Sequence, residues 1–139
     1  MNREMAEIIR DREPLLMRQT DTMQTACEHM HRRKAGYVLV TTDTGALLGI
    51  FTGRDAVQAL ARGWDAGGTP LHAVMTKQPA TLAPTAKAID ALRLMHDGGF
   101  RHVPVVSEEI VLGVVSNEDF RDSERDRLDE ETGVWQHMR

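Results

Sequence analysis

The sequence has little that would suit a secreted, membrane-spanning or nucleic-acid-binding protein. Its one cysteine, Cys27, excludes an intramolecular disulfide. No apolar run approaches the roughly 20 residues that span a bilayer, and the charged first residues lack the apolar segment of a signal peptide. Aromatic residues make up 4% of the chain and the net charge is −4, which disfavours nucleic-acid binding. We therefore expect a soluble, cytoplasmic protein without a nucleic-acid or membrane partner.

Much of the chain occurs twice. GIFTGRD at 49–55 returns as GVVSNED at 113–119, and a shift of 65 places Pro14 on Pro79. A period near 64 is too long for a solenoid repeat and suits a small supersecondary module. A chain of 139 residues with 41% apolar content fits one compact domain, or two half-domains that share a core. The duplication therefore predicts two related halves with a crevice between them.

Each half is predicted to follow the order β-α-β-β-α, which makes the fold class α+β. The first helix of each half is indicated by a helical stripe of apolar residues: Met23, Ala26, Cys27 and Met30, then Ala88, Ala91, Leu92 and Met95. The strands are expected at 15–17, 37–41 and 47–51 in the first half, and at 80–82, 103–106 and 111–115 in the second. The second helix is expected at 54–62, ended by Gly63, and its counterpart begins near Glu118. Cys27 matches Leu92 in the other half, so we interpret it as a small core residue.

The ends of the helices and of the chain carry further signals. Thr20 or Asp21, and Thr85, are expected to cap the first helix of each half. The stretch 121–131 is almost wholly charged, which predicts a solvated helix without a core face. Two apolar residues follow it and either dock on the body or meet another chain: Trp135 and Met138.

The repeated motif Gly-h-h-[Thr/Ser]-x-x-Asp, where h is apolar, suits a nucleotide. The hydroxyl of Thr52 or Ser116 follows a buried strand and stands at a helix start, where free backbone N–H groups attract an anion. The carboxylate of Asp55 or Asp119 lies one turn further on and accepts two hydrogen bonds, which suits the cis-diol of ribose. The alternative is structural, with the hydroxyls as N-caps and the acids completing capping boxes. The two roles are compatible, and the duplication favours the ligand.

This doubled pattern, with FRHVPVV before the second motif, strongly resembles tandem CBS domains, named from cystathionine β-synthase. The resemblance covers about residues 6–128 and implies two CBS repeats, at 6–66 and 71–128, followed by a charged tail or helix at 129–139. It also implies a pseudo-two-fold (Bateman-type) module, often a homodimer stacked into a flat disc. Members of the family bind AMP, ADP, ATP, NAD, S-adenosylmethionine or nothing in the crevice between repeats.

The resemblance implies two nucleotide sites, and the charges near each motif predict that they are of unequal quality. The first is expected to hold the phosphate, with Thr52 and Asp55 joined by three potential cations: Arg54, and from the opposite repeat Arg101 and His102.

The second site is expected to be weaker, or to prefer an uncharged adenosine. It contains Ser116 and Asp119, but Glu118 stands at the position of Arg54, which is unfavourable beside a phosphate. The equivalents of the two cations from the opposite repeat are Gly36 and Tyr37. The adenine is expected against apolar surface and main chain of the crevice, with these candidates: Leu16, Tyr37, Val38, Thr81, Val103 and Pro104.

No activated nucleophile, metal cluster or contrasting pair of carboxylates is apparent, so we expect a regulatory module and not an enzyme. His29 and His31 do not face each other at helical spacing, which disfavours a metal site. On this interpretation an adenosine nucleotide, AMP before ATP or NAD, shifts the arrangement of halves or subunits and alters contact with an unknown protein target. The alternative is an interaction scaffold whose crevices bind no ligand.

Overall fold

The structure, a computed structural model, describes residues 2–132, with side chains up to residue 130. These residues form two compact units. The first unit comprises Glu13–Ala80 and Glu108–Val111, and the second comprises the described residues up to Arg12, Thr81–Ser107 and those from Leu112 onward. The residues up to Arg12, most of which the sequence assigns to the first repeat, are thus part of the unit that holds most of the second repeat. The predicted roles of Trp135 and Met138 lie outside the described residues.

In chain order the elements are α1 (Met5–Ile8), β1 (Leu16–Met17), α2 (Met23–Arg33), β2 (Tyr37–Thr41), β3 (Leu47–Thr52), α3 (Gly53–Ala61), α4 (Leu71–Val74), β4 (Thr76–Lys77), α5 (Ala88–Gly98), β5 (His102–Ser107), β6 (Ile110–Ser116), a 3₁₀ turn (Asn117–Asp119) and α6 (Asp122–Thr132). The predicted α+β class is confirmed. Among the described residues, every helix is too short or too polar to cross a membrane.

The first unit is built on a four-stranded sheet in the order β1-β2-β3-β4. β1 runs parallel to β2, whereas β3 is antiparallel to both β2 and β4. The hairpin of β2 and β3 confirms the strands predicted at 37–41 and 47–51. We did not predict α4 and β4, because elements of four and two residues show no apolar periodicity.

The core of the first unit lies where α2 and α3 cover this sheet. Met23, Ala26 and Met30 of α2 are buried together with Val38 and Phe51, which confirms the predicted stripe. Cys27, on the same stripe, is half-buried against this cluster, and burial raises the pKa of its thiol. This is the environment of a structural cysteine, because a reactive one needs its thiolate.

The second unit pairs β5 with β6 and adds one parallel bridge, between Leu82 and Val105. The strands predicted at 103–106 and 111–115 are confirmed, whereas the run predicted at 80–82 forms only this bridge. The apolar stripe predicted on α5 is confirmed, since its four members are buried in one cluster: Ala88, Ala91, Leu92 and Met95.

α1 is a structural part of the second unit. It places Met5 and Ile8 in the same core cluster as α5. Its backbone is also fastened there, because the Met5 N–H donates to the Ala86 carbonyl at 2.9 Å and the Ala88 N–H donates to the Arg3 carbonyl at 2.9 Å. At four residues, this helix is too short for its periodicity to be read from the sequence.

Both predicted helix caps are wrong by a few residues. α2 starts after Thr22, not after Thr20 or Asp21, because the Thr22 hydroxyl accepts a backbone N–H three residues later at 3.2 Å. α5 starts after Lys87, not after Thr85, and a carboxylate three residues on bonds back to the Lys87 N–H at 2.9 Å. Each helix begins where a side chain can satisfy an unpaired N–H of the first turn.

The helix predicted to begin near Glu118 is also different. The chain forms the 3₁₀ turn Asn117–Asp119 and only then, after Phe120, enters α6. Phe120 is extended (φ −98°, ψ 144°), and its side chain is buried in the core of the second unit. Burial of this aromatic ring therefore interrupts the helix that the sequence pattern suggested.

α6 confirms the helix predicted over 121–131, but the prediction that it lacks a core face is wrong. Leu128 packs against the core of the second unit. Arg3 donates from Nε and Nη2 to the two carboxylate oxygens of Glu124, at 3.0 and 2.7 Å. The side chains of this pair are only 14% and 7% exposed. The bond from Arg3 lowers the pKa of Glu124, and it outweighs burial, which raises the pKa.

We expect Glu124→Gln to lower the free energy of unfolding by about 2–4 kcal/mol, because it leaves Arg3 largely buried without its counter-ion. Equilibrium unfolding in urea at pH 7 measures the loss. Since folding lowers the pKa of Glu124, the stabilisation is complete above the ordinary glutamate pKa and disappears as pH falls through the lower folded-state value. The gap between wild type and variant should therefore narrow in acid.

Glu130→Gln is the matched control for this prediction. Glu130 lies on the same helix and is exposed, so its substitution should change stability by less than about 0.5 kcal/mol. Equal losses for the two variants, or a gap that widens in acid, would show that the ion pair does not hold α6.

Candidate functional site

In the first unit, Thr52 and Asp55 form a closed pair where β3 runs into α3. The Thr52 hydroxyl accepts the backbone N–H of Asp55 at 3.4 Å, and Oδ2 of Asp55 accepts the backbone N–H of Thr52 at 2.9 Å. The capping box, which the sequence left open as an alternative, is therefore confirmed. The other carboxylate oxygen, Oδ1, accepts the hydroxyl of Thr76 at 3.1 Å. Arg54, between the pair, is exposed.

The corresponding acid of the second unit, Asp119, is held by a charge. Its Oδ2 accepts the Ser116 backbone N–H at 2.6 Å and the Ser116 hydroxyl at 3.3 Å. The same oxygen accepts Nη1 of Arg12 at 2.8 Å. Burial raises the pKa of Asp119, but the bonds from Arg12 and Ser116 together outweigh it and leave the pKa below its ordinary value. The carboxylate is thus ionised at neutral pH.

The glycine that opens each motif lets another segment approach the strand closely. A Cβ at Gly49 would lie 2.7 Å from the carbonyl oxygen of Thr76, on the neighbouring strand β4, and 2.8 Å from Sδ of Met75. A Cβ at Gly113 would lie 3.0 Å from the side chain of Ile9, which would have to shift by a few tenths of an ångström. Glycine is therefore required at Gly49, where main chain lies in the way, and is favoured at Gly113.

Thr76 and Arg12, which contact the two acids, were not among the predicted site residues. Each lies among the first residues of a repeat, close in sequence to a residue that a Cβ at Gly49 or Gly113 would meet. The duplicated glycine was the available signal. A glycine inside a buried strand weakens it unless a neighbour must approach closely, so a closely packed segment could have been predicted in both halves.

Two of the predicted residues, Tyr37 and His102, each begin a strand, and hairpin pairing places them beside the motif of their own repeat. Tyr37, at the start of β2, is the partner of Thr52 at the end of β3. In the second unit, the carbonyl of Arg101 accepts the backbone N–H of Asn117 at 3.0 Å, so His102 also begins its strand at this turn.

Arg12 corrects the charges predicted at the Asp119 site. The expectation that this site has no compensating base is wrong, because Arg12 is bonded to that acid. The physical reason is that the residues up to Arg12 fold into the same unit as Asp119, although the sequence assigns them to the first repeat. The expectation that Arg101 and His102 serve Asp55 from the opposite repeat stays a prediction. Within their own unit, both lie at the turn that carries Asp119.

His102 was predicted as a cation beside a phosphate, and its surroundings favour the neutral form. Burial lowers its pKa, Glu118 raises it, Arg101 lowers it and Asp119 raises it, in that order of size, and the net pKa is below the ordinary value. A histidine whose pKa is lowered is largely neutral at pH 7. In this structure, therefore, the charge available to an anion comes from the arginines.

The residues predicted to hold an adenine differ in how much of each is exposed to solvent. Leu16 is 45% exposed, and Thr81 is exposed. Tyr37 is half-buried, and its hydroxyl accepts the backbone N–H of Leu15 at 3.3 Å. Three others are fully buried and offer no side-chain surface to a ring in this structure: Val38, Val103 and Pro104.

Within the part of the chain that the structure describes, no three His, Cys, Asp or Glu side chains cluster as metal ligands. His29 is half-buried on α2, whereas His31, two residues on, is exposed. Residues at this spacing point in different directions from a helix.

The model of the CBS domain matches the chain twice, at residues 6–62 and 71–126. A CBS domain-containing protein of Arabidopsis thaliana is 36% identical over 95 residues, which are 68% of this chain and 17% of that protein. The chain thus spans about a sixth of that relative's length.

Two solved structures share the fold. A CBS domain protein of Pyrobaculum aerophilum, complexed with AMP, has a TM-score of 0.83 and 22% identity over 92% of this chain and 99% of its own. A CBS domain pair complexed with 5′-methylthioadenosine and S-adenosyl-L-methionine has a TM-score of 0.77 and 21% identity, over 84% of this chain and 95% of its own. Two matching domains, sequence relatives of the same kind and this fold together show that the chain belongs to the CBS domain family.

Proposed function

We propose that this chain is a non-catalytic, cytoplasmic regulatory module that binds an adenosine-type ligand through Asp55 and Asp119 and transmits the bound state to a protein partner. The observation that carries this proposal is the duplicated acid. In each unit an acid and a hydroxyl three residues before it stand directly after a buried strand. Structures of similar fold are complexed with AMP, and with 5′-methylthioadenosine and S-adenosyl-L-methionine, which supports an adenosine moiety as the common part of the ligand.

The ribose is the part of the ligand that these acids suit. A carboxylate accepts a hydrogen bond on each oxygen and so matches two neighbouring hydroxyl groups. At Asp55, a ribose hydroxyl would replace the Thr76 hydroxyl, which is a neutral donor at 3.1 Å on an exposed residue. The exchange conserves the number and type of bonds, so it requires little free energy.

The rest of the ligand would meet the remaining predicted residues. Leu16, Tyr37 and Thr81 retain exposed or half-buried surface for an adenine. Arg54 and Arg101 are exposed arginines next to the two motifs, and their guanidinium groups suit a phosphate. AMP is the first ligand to test, and ATP and NAD contain the same adenosine moiety.

AMP at about 100 times its dissociation constant should stabilise the wild-type chain by about 2.7 kcal/mol, because it binds only the folded state. Thermal melting with and without AMP, ATP, NAD and S-adenosylmethionine measures this effect. Calorimetric titration of AMP then tests the acids. Asp55→Ala and Asp119→Ala should each weaken one binding step about tenfold to a hundredfold, since each removes charged hydrogen bonds to the ribose.

Asp97→Ala serves as control, because Asp97 is an exposed acid on α5 outside both motifs. It should bind AMP as the wild type does. If no adenosine compound changes the melting temperature, the ligand-independent scaffold is the better description. Binding that survives in the Asp55→Ala, Asp119→Ala double variant would remove the acids from the proposal.

We also propose that the module is a homodimer in which α3 contributes to the interface. On this helix the small apolar residues face the core and the larger ones face outward. The face turned to the core carries the small residues Ala56 and Ala59, which are 9% and 5% exposed. The outer face carries larger apolar residues, with Val57 at 68%, Leu60 at 56% and Trp64, just beyond the helix, at 42%. Their spacing of three and four residues forms one apolar stripe, which water alone does not favour.

Leu60→Glu should weaken dimerisation about 30-fold or more, because it places an unpaired charge at the centre of the apolar stripe. Sedimentation velocity over a range of concentrations measures the change. Gln58→Glu is the matched control, since Gln58 is exposed on the same helix but is already polar. A wild-type chain that sediments as a monomer at high concentration, or equal effects of the two substitutions, would exclude α3 as the interface.

A further inference from the structure

The two acids of the repeated motif differ in the charge of the group that holds them. Asp55 accepts a neutral hydroxyl, from Thr76 at 3.1 Å. Asp119 accepts a guanidinium, from Arg12 at 2.8 Å. The rest of the two acids' bonding is alike, because each uses Oδ2 to accept the backbone N–H and the hydroxyl of the residue three positions earlier. The first residues of each repeat, which contain Arg12 and Thr76, are therefore where the two sites differ.

The ion pair changes what a ligand must do to reach Asp119. A charged hydrogen bond is stronger than a neutral one, and Asp119 is only 12% exposed in this pair. A neutral nucleoside that takes the carboxylate with its ribose hydroxyls displaces Arg12 from Oδ2 and gives it no anion in return. A nucleotide with a phosphate provides a new anion for the displaced guanidinium. Arg12 is 46% exposed, and its long side chain can follow that anion.

The charges around Asp119 favour the same outcome. Glu118 directly precedes Asp119. Burial and Arg101 lower the pKa of His102, which favours its neutral form. With Arg12 withdrawn from Asp119 and no ligand anion, the neighbouring carboxylates of Glu118 and Asp119 would lose that compensating charge. Arg3 also reaches Asp119, because its Nη2 donates to the Asp119 backbone carbonyl at 2.9 Å, but its guanidinium is already paired with the carboxylate of Glu124. An anionic ligand that retains Arg12 at the site avoids this loss.

We propose that Arg12 is a specificity-determining residue that makes the Asp119 site select adenosine ligands carrying an anionic group over neutral nucleosides. The inference rests on the proposed function, because it takes the ribose to bind at Asp119. It reverses the sequence-based expectation that this site prefers an uncharged adenosine, which overlooked Arg12. Specificity here is a difference of two affinities, set by an existing contact that the neutral ligand breaks without compensation.

The test compares AMP with adenosine by calorimetric titration of the full chain, in an Asp55→Ala background that leaves the Asp119 site. Arg12→Ala should make adenosine bind about fivefold more tightly, and the preference for AMP should fall by at least that factor, as expected for a partly exposed ion pair. Arg10→Ala is the control. Arg10 is also exposed and cationic, two residues away, and its side chain has no bond to Asp119, so the ratio should stay within about twofold. If Asp55→Ala does not fold, the component of binding that Asp119→Ala removes is compared instead.

The outcomes separate the two proposals. Tighter adenosine binding in Arg12→Ala, without that change in Arg10→Ala, supports Arg12 as the selective residue. If AMP binds but adenosine affinity is unchanged or lower in Arg12→Ala, Arg12 does not discriminate, and the nucleotide-binding function stands without it. If neither compound binds the wild type or the variants, the proposed function fails and this inference fails with it.

Discussion

The structure of both motifs depends on the close approach of another segment to a buried strand at a glycine. At Gly49 a methyl group would lie 2.7 Å from the carbonyl oxygen of Thr76, which belongs to the neighbouring strand β4. A larger residue there would push this main chain away and move Thr76 from Asp55. At Gly113 the contact is with the side chain of Ile9 at 3.0 Å, which could shift by a few tenths of an ångström. Gly49 is thus a condition for the bonding of Asp55, and not simply the start of a motif.

The parts of the fold that could be predicted are those with a visible period. The stripe of α2 and the hairpin of β2 and β3 repeat an apolar residue every three to four or every two positions, and burial of Met23 and Phe51 follows from that pattern. α1, α4 and β4 are shorter than one period and carry no such signal. The break at Phe120 was missed for another reason, because a local pattern does not report that a ring is needed in the core.

The parts of the candidate site that could be predicted are those that the sequence repeats. The acids, the hydroxyls and their capping geometry were found because the motif occurs twice in register. The placement of Arg101 and His102 beside Asp55 rests on the two-fold and stays a prediction, whereas hairpin pairing sets both beside the motif of their own repeat. Tyr37 opposite Thr52 shows the same pairing in the first unit. The glycine of the motif indicates that another segment comes close, but not which of its residues reaches the acid, so Arg12, more than 100 residues from Asp119 along the chain, was missed.

These positions differ in how freely their chemistry can change. Replacing Gly49 or Asp55 disturbs a neighbouring strand or a helix cap, so the motif is constrained by the fold itself. Arg12 contributes little to any core, because nearly half of its side chain is exposed, and a substitution there removes the positive charge beside the acid at small structural cost. A duplicated fold can therefore keep two similar capping frameworks and still give their acids different electrostatic surroundings. The first residues of each repeat are where such a difference is least restricted by packing.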